Sequence, residues 1–152
     1  MTVASGLLGR RDVVESVIEI DATPETVFDY CTDVCREPEW NTKLLEVEKL
    51  TAGPIGVGTR YRLRFDGAGW STAENTAFQR PRFWAGSSAS RLLDVRFEGE
   101  VTPTERGARL CMRTLLLPHG VLRFVSPILR RFMRQQWEHH LRRLKARLEV
   151  TG

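Results

Sequence analysis

The sequence predicts an α+β fold: a curved antiparallel sheet of about seven strands wrapped around one long C-terminal helix. Three observations carry this. Short runs of alternating apolar and polar residues recur between Gly- and Pro-rich turns from Val13 to Leu117. Two short helical segments interrupt them only once, after the first run. After Ser126-Pro127 the period changes to that of an amphipathic helix of about 20 residues. A sheet with one polar face must cover the other, and this helix is the element large enough to do so.

The elements follow in order. Val13 to Asp21 reads as a strand. Thr23 is an N-cap and Pro24 suits the first helical position. Thr26 stands where a capping box would need Glu or Gln. The helix runs through Val27, Phe28 and Cys31, and a second short helix or turn covers Val34 to Trp40, with Pro38 near its end. Strands then follow at Leu44–Leu50, Thr59–Asp66, Trp70–Gln79, Phe83–Ser90, Leu92–Thr102 and Ala108–Leu117. Within Thr59–Asp66, Tyr61, Leu63 and Phe65 share one face, and Arg60, Arg62 and Arg64 the other. Along the last helix Ile128, Leu129, Phe132, Trp137, Leu141, Leu144 and Leu148 recur at helical spacing, with arginines between them.

The 152 residues suit one domain, residues 12–150, behind a flexible leader at 1–11. An apolar share of 41% and a charged share of 28% are those of a soluble globular protein, and no stretch reaches the length of a membrane span. Three cysteines, Cys31, Cys35 and Cys111, are an odd number without paired spacing, so no disulfide framework is expected and a reducing, cytoplasmic setting is. Cys31 and Cys35, four apart, fall on one face of a helix as small buried thiols, and no further ligands accompany them to make a metal site.

The net charge of +4 is uneven: His119–Gly152 carries +6 and the remainder −2. Arg130, Arg131, Arg134, Arg142 and Arg143 form a solvated face or a transient contact with an anionic membrane surface. Stacking aromatics interleaved with this charge are missing, so nucleic acid is not an expected partner. The chain is expected as a monomer or homodimer.

This layout resembles the SRPBCC superfamily, the START-related group of polyketide cyclases/dehydrases and lipid-transport proteins, across about residues 12 to 150. The resemblance rests on Ile20-Asp21-Ala22-Thr23-Pro24-Glu25-Thr26-Val27-Phe28, on Asp33 with Glu39-Trp40, on the Gly53–Thr59 turn, on Gly107-Ala108-Arg109-Leu110 and on Leu144-Lys145-Ala146-Arg147-Leu148-Glu149. It implies a helix-grip fold with a cavity between sheet and helix. It implies binding or transport of a small hydrophobic or aromatic ligand (lipid, quinone or polyketide-like). The alternatives are a cyclase, aromatase or dehydratase, or an interaction domain with a filled core. These motifs mark caps, turns and packing, so they fix fold rather than function.

The expected ligand-binding residues are Trp40, Tyr61, Leu63, Phe65, Phe78, Phe97, Met112, Thr114, Phe132, Gln136 and His140, with Phe124 and Trp137 also inward. Ile128, Phe132 and Leu144 are expected to face in, which turns His140 inward with Gln136 one turn before it. His139-His140 is the best candidate for acid–base work, because histidine titrates near neutral pH, and of the two His140 turns inward. Tyr61, Thr114, Gln136 or His140 would orient a polar group of the ligand. Paired-carboxylate chemistry needs two converging acids; Asp66, Glu74, Asp94 and Glu98 are available, but alternation puts Asp94 and Glu98 on the outer face. The glycines of Gly53–Gly58 lead into a strand rather than a helix, and no nucleophile elbow or metal motif is present, so no cofactor or metal is expected and an enzyme is the lesser reading.

Overall fold

A computed structural model describes residues 13–151. The expected leader at 1–11 lies outside the described residues. Seven strands, β1 (Val13–Ile20), β2 (Leu44–Lys49), β3 (Arg60–Phe65), β4 (Gly69–Gln79), β5 (Phe83–Ser90), β6 (Leu93–Pro103) and β7 (Ala108–Pro118), form one antiparallel sheet. Its order is β1-β7-β6-β5-β4-β3-β2, so β2 to β7 are consecutive hairpins and β1 pairs with the last of them. The crossover from β1 to the far edge carries α1 (Pro24–Thr32) and a 3₁₀ helix, Val34–Glu39. A second 3₁₀ helix, Gly120–Val125, leads into α2 (Ser126–Thr151). This is the helix-grip fold that the sequence pattern predicts.

Local chemistry sets the boundaries. The Thr23 hydroxyl accepts from the Thr26 amide at 3.2 Å, capping α1, and donates to Thr26 Oγ1 at 2.9 Å. The α-helix stops at Thr32, so Cys31 and Cys35 do not share a helix face. Cys31 is buried and Cys35, on the 3₁₀ helix, is exposed rather than a buried thiol. Two glycines make room for aromatic rings. A Cβ at Gly86 would stand 2.5 Å from both Phe97 Cζ and the Glu74 carbonyl, and one at Gly99 would stand 2.2 Å from Trp84.

The main core lies under α1 and the C-terminal half of α2. Phe28 meets Phe78 and Trp84 edge-on, and Val101, Leu110, Met112, Leu141, Leu144 and Leu148 pack around them. A second, smaller cluster of Leu44, Tyr61, Leu63 and Ala73, with Val34, Val47 and Phe65 against it, covers the β2–β4 edge. Polar contacts then fix α2 to its neighbours. Arg147 donates to the Tyr30 hydroxyl (3.0 Å) and to Glu39 (3.2 Å), and Lys145 donates to the Glu19 carbonyl (2.7 Å). Such exposed pairs contribute little stability but set orientation.

The buried stripe of α2 differs from the sequence expectation. His140, Leu141, Leu144 and Leu148 are buried, and Leu129, Met133, Gln136 and Trp137 extend the stripe toward the N-terminus, partly buried. Ile128 and Phe132 are exposed, as is Phe124 before them. The reason is the helical phase: counted back from Leu144 and His140 at 100° per residue, positions 133 and 129 face the sheet and 132 and 128 do not. Every residue from Ser126 to His139 keeps some exposure, so the first half of α2 is less fully packed than the second.

Glu98 points to the outer face, as alternation requires, yet it is buried there. It stands opposite Arg113 in the β6–β7 register. The Arg113 guanidinium lies 3.5 Å from Glu98 and 3.0 Å from Glu15 on β1, so neighbouring strands cover the carboxylate that the pattern alone leaves in solvent.

Candidate functional site

The strand registers decide which side chains face α2. Tyr61 stands opposite Ala73 and Leu63 opposite Ser71. Asn75 stands opposite Gly86, Gly86 opposite Phe97, and Phe97 opposite Thr114. Met112 stands opposite Gly99 and Ser16. All share the helix-facing side, which is apolar at its β7 end and lined by small polar residues in the middle. Phe65, Val95 and Phe97 remain partly exposed on this face.

The expected residues divide into three groups. Trp40, Phe78, Phe97, Met112 and His140 lie in or against the main core, and Thr114 is buried beside them on β7. Tyr61, Leu63 and Phe65 belong to the second cluster. Gln136 is partly buried one turn before His140. Phe132 stands apart on the exposed flank of α2.

At the centre is a contiguous aromatic row. Trp40 and Trp137 have ring centroids 6.1 Å apart, and Trp137 meets His140 at 5.9 Å, edge-on. Trp40 Nε1, Trp137 Nε1 and His140 Nδ1 are buried without a hydrogen-bond partner among the described residues. The same holds for the Tyr61 hydroxyl and for the hydroxyls of Ser71 and Ser16. Buried polar groups are almost always paired, so six unpaired ones on one side of the sheet give this face unused hydrogen-bonding capacity. Two of the six are indole N–H groups, which only donate.

Burial also sets the protonation states. His140 is pushed down to about 4, first by burial and then by the charges of His139, Arg143 and Lys43, so it is neutral at pH 7. Tyr61 is pushed up to about 12 by burial and by the acidic groups of Cys35, Asp33 and Glu37, and keeps its proton. Glu37 is pushed up to about 7 by burial, offset in part by a 2.8 Å hydrogen bond from Asn41 Nδ2. Glu37, Asn41 and Ser71 are absent from the sequence-derived set. Ser71, Ala73 and Asn75 do leave a signal, small residues alternating with the more exposed Thr72 and Glu74 along β4.

A depression of about 500 Å³ lies elsewhere, lined by Glu19, Asp21, Arg106, Arg109, Lys145 and Glu149. Its charges pair with one another, as in Arg109–Glu19 and Lys145–Glu149, both at 2.8 Å, and it does not suit an apolar guest. Among the described residues no group of three or more His, Cys, Asp or Glu is gathered to hold a metal ion. Among them too, no helix is long and apolar enough to cross a membrane.

The family model for polyketide cyclases/dehydrases and lipid transport matches residues 11–149. The chain belongs to this family. No curated protein sequence matches it. Among solved structures it is similar to a START superfamily protein from Mycobacterium smegmatis, with a TM-score of 0.76 and 15% identity over 92% of this chain and 99% of that one. It is also similar to the hypothetical protein jhp0584 from Helicobacter pylori, with a TM-score of 0.77 and 14% identity over 97% and 99% of the two chains. The di-domain ARO/CYC StfQ of the steffimycin biosynthetic pathway aligns with a TM-score of 0.75 and 17% identity over 93% of this chain and 53% of its own. At these identities the likenesses show the fold alone. Family and fold together support a domain that binds hydrophobic ligands.

Proposed function

We propose that this chain binds a small hydrophobic molecule carrying an acceptor oxygen, such as a carbonyl, hydroxyl or carboxyl group, between the first half of α2 and the helix-facing side of the sheet. One observation supports this above the rest: Trp40 Nε1, Trp137 Nε1 and His140 Nδ1 are buried and unpaired along one aromatic row. The apolar body of the ligand would lie on Phe97, Phe65, Leu63 and Met112, and its oxygen would accept from the row, with Tyr61, Thr114 or Gln136 as further contacts. Apolar burial supplies affinity at about 25 cal/mol per Å² before the costs of association. The hydrogen bond supplies orientation.

The test is a titration of the tryptophan emission with matched pairs of apolar compounds that differ by one carbonyl or hydroxyl. The oxygen-bearing member is expected to bind about tenfold tighter, the worth of one hydrogen bond. Trp137→Phe should erase that difference. Equal binding within each pair, or a difference that survives Trp137→Phe, would sink the reading.

A second reading, a cyclase-, aromatase- or dehydratase-type enzyme, is favoured by Glu37, a partly buried carboxyl that accepts from Asn41 Nδ2 at 2.8 Å and whose pKa burial raises to about 7. It requires turnover that is lost in Glu37→Gln while binding is retained.

A further inference from the structure

The exposed apolar residues of this chain are not scattered. Val121 is 80% exposed, Phe124 81% and Ile128 71%, and Val125 and Phe132 are also exposed. Their spacing of three, one, three and four residues places them along one side of the second 3₁₀ helix and the start of α2. Leu92 joins the same end, because the His119 amide donates to the Leu92 carbonyl at 2.9 Å. Isolated exposed apolar side chains need no explanation, but a contiguous row of this size marks a surface that meets something.

The charges indicate what. From Pro118 to Trp137 the chain has four arginines, Arg123, Arg130, Arg131 and Arg134, and no Asp or Glu. Arg123 and Arg131 are exposed, next in sequence to Phe124 and Phe132. Asp94, at the start of β6 beside this end, is engaged by His119 at 3.0 Å. A second copy of the chain docked face to face would set arginine against arginine with no acid between them. A surface that is apolar beneath and anionic above complements both features. By contrast Arg142 and Arg143 accompany the buried half of α2, and Arg143 lies 3.5 Å from the Glu39 carbonyl, so the basic character of the helix is not one uniform face.

We propose that this chain docks on anionic lipid bilayers through the Gly120–Val125 turn and the first half of α2. Val121, Phe124 and Ile128 enter the boundary between headgroups and acyl chains, and Arg123 and Arg131 meet the lipid phosphates. The surface is distinct from the aromatic row, and docking requires no internal ligand.

The experiment is flotation of the full chain with phosphatidylcholine vesicles, with and without phosphatidylglycerol. Three proteins are compared: wild type, Phe124→Asp with Ile128→Asp, and Arg123→Gln with Arg131→Gln. All four positions are exposed, and an unchanged circular dichroism spectrum verifies folding. Wild type should float with the anionic vesicles and far less with the neutral ones. The arginine pair should lose about fivefold in partitioning per residue, roughly twenty-fivefold together, and the aspartate pair should lose flotation entirely. Flotation that ignores lipid charge, or that survives either pair, overturns the proposal. So does absence of flotation, including absence alongside a dimer that Phe124→Asp dissociates, which would assign the row to self-association.

Discussion

Trp137 presents its indole edge-on to the imidazole of His140, ring centroids 5.9 Å apart at 84°, where the partly exposed first half of α2 gives way to its buried second half. Both rings bury a nitrogen without a partner among the described residues. The pair therefore marks where the packed core ends and the candidate binding space begins.

Burying His140 neutral makes stability depend on pH. Its folded pKa, about 4, lies below the ordinary 6.5, so the unfolded chain takes up the proton first as pH falls. This contribution to stability is complete above pH 6.5 and is lost progressively toward pH 4. His140→Gln should flatten that part of a plot of Tm against pH. An unchanged slope in the variant would remove His140 as its cause.

Glu37 has the opposite sign. Its pKa is raised from 4.5 to about 7, so the folded chain holds the proton more tightly and stability falls as pH rises from 4.5 through 7. Glu37→Gln keeps the shape and removes the charge. The variant should match wild type near pH 5 and exceed it in Tm at pH 8. A variant less stable than wild type at pH 8 would show that the carboxylate is solvated or paired.

Phe97 occupies the space that Gly86 leaves open. In Gly86→Ala the new Cβ would meet the Phe97 ring and, at the same 2.5 Å, the rigid Glu74 carbonyl. Overpacking of this kind costs about 1–3 kcal/mol. Chemical denaturation should show a loss of that size, and ligand affinity should fall as the ring is pushed into the open face. Phe97→Asp should abolish binding. Binding unchanged by Phe97→Asp would contradict the placement of the ligand on this strand.

Leu144 is fully buried between α2 and the sheet. Leu144→Ala should cost about 2–5 kcal/mol in urea unfolding. Ile128→Ala, on the exposed flank, should cost well under 1 kcal/mol. Similar costs at the two positions would contradict the helical phase described above.

The fold was legible because its signals are local. Alternation through Tyr61, Leu63 and Phe65, the Thr23 cap and the change of period after Pro127 each reside in a few neighbouring residues. The site was legible only in part. The apolar positions of α2 fit two stripes in its first half, Leu129 with Met133 and Ile128 with Phe132, and choosing between them needs the phase that Leu144 and His140 set two turns later. Glu37 left no trace in the pattern, because its partial burial arises when the first 3₁₀ helix packs on β2, which follows it in sequence. Glu98 was assigned the correct face but not its burial, which depends on Arg113 from the next strand and Glu15 from the far end of the chain.

The most direct test of ligand binding is native mass spectrometry of freshly purified protein, followed by denaturing extraction of what it carries. A defined co-purifying apolar molecule with an acceptor oxygen, lost or depleted in Trp137→Phe, is the result this account predicts. A clean unliganded mass, with no thermal shift across a library of lipophilic compounds, would contradict it and leave a filled-core interaction domain in its place.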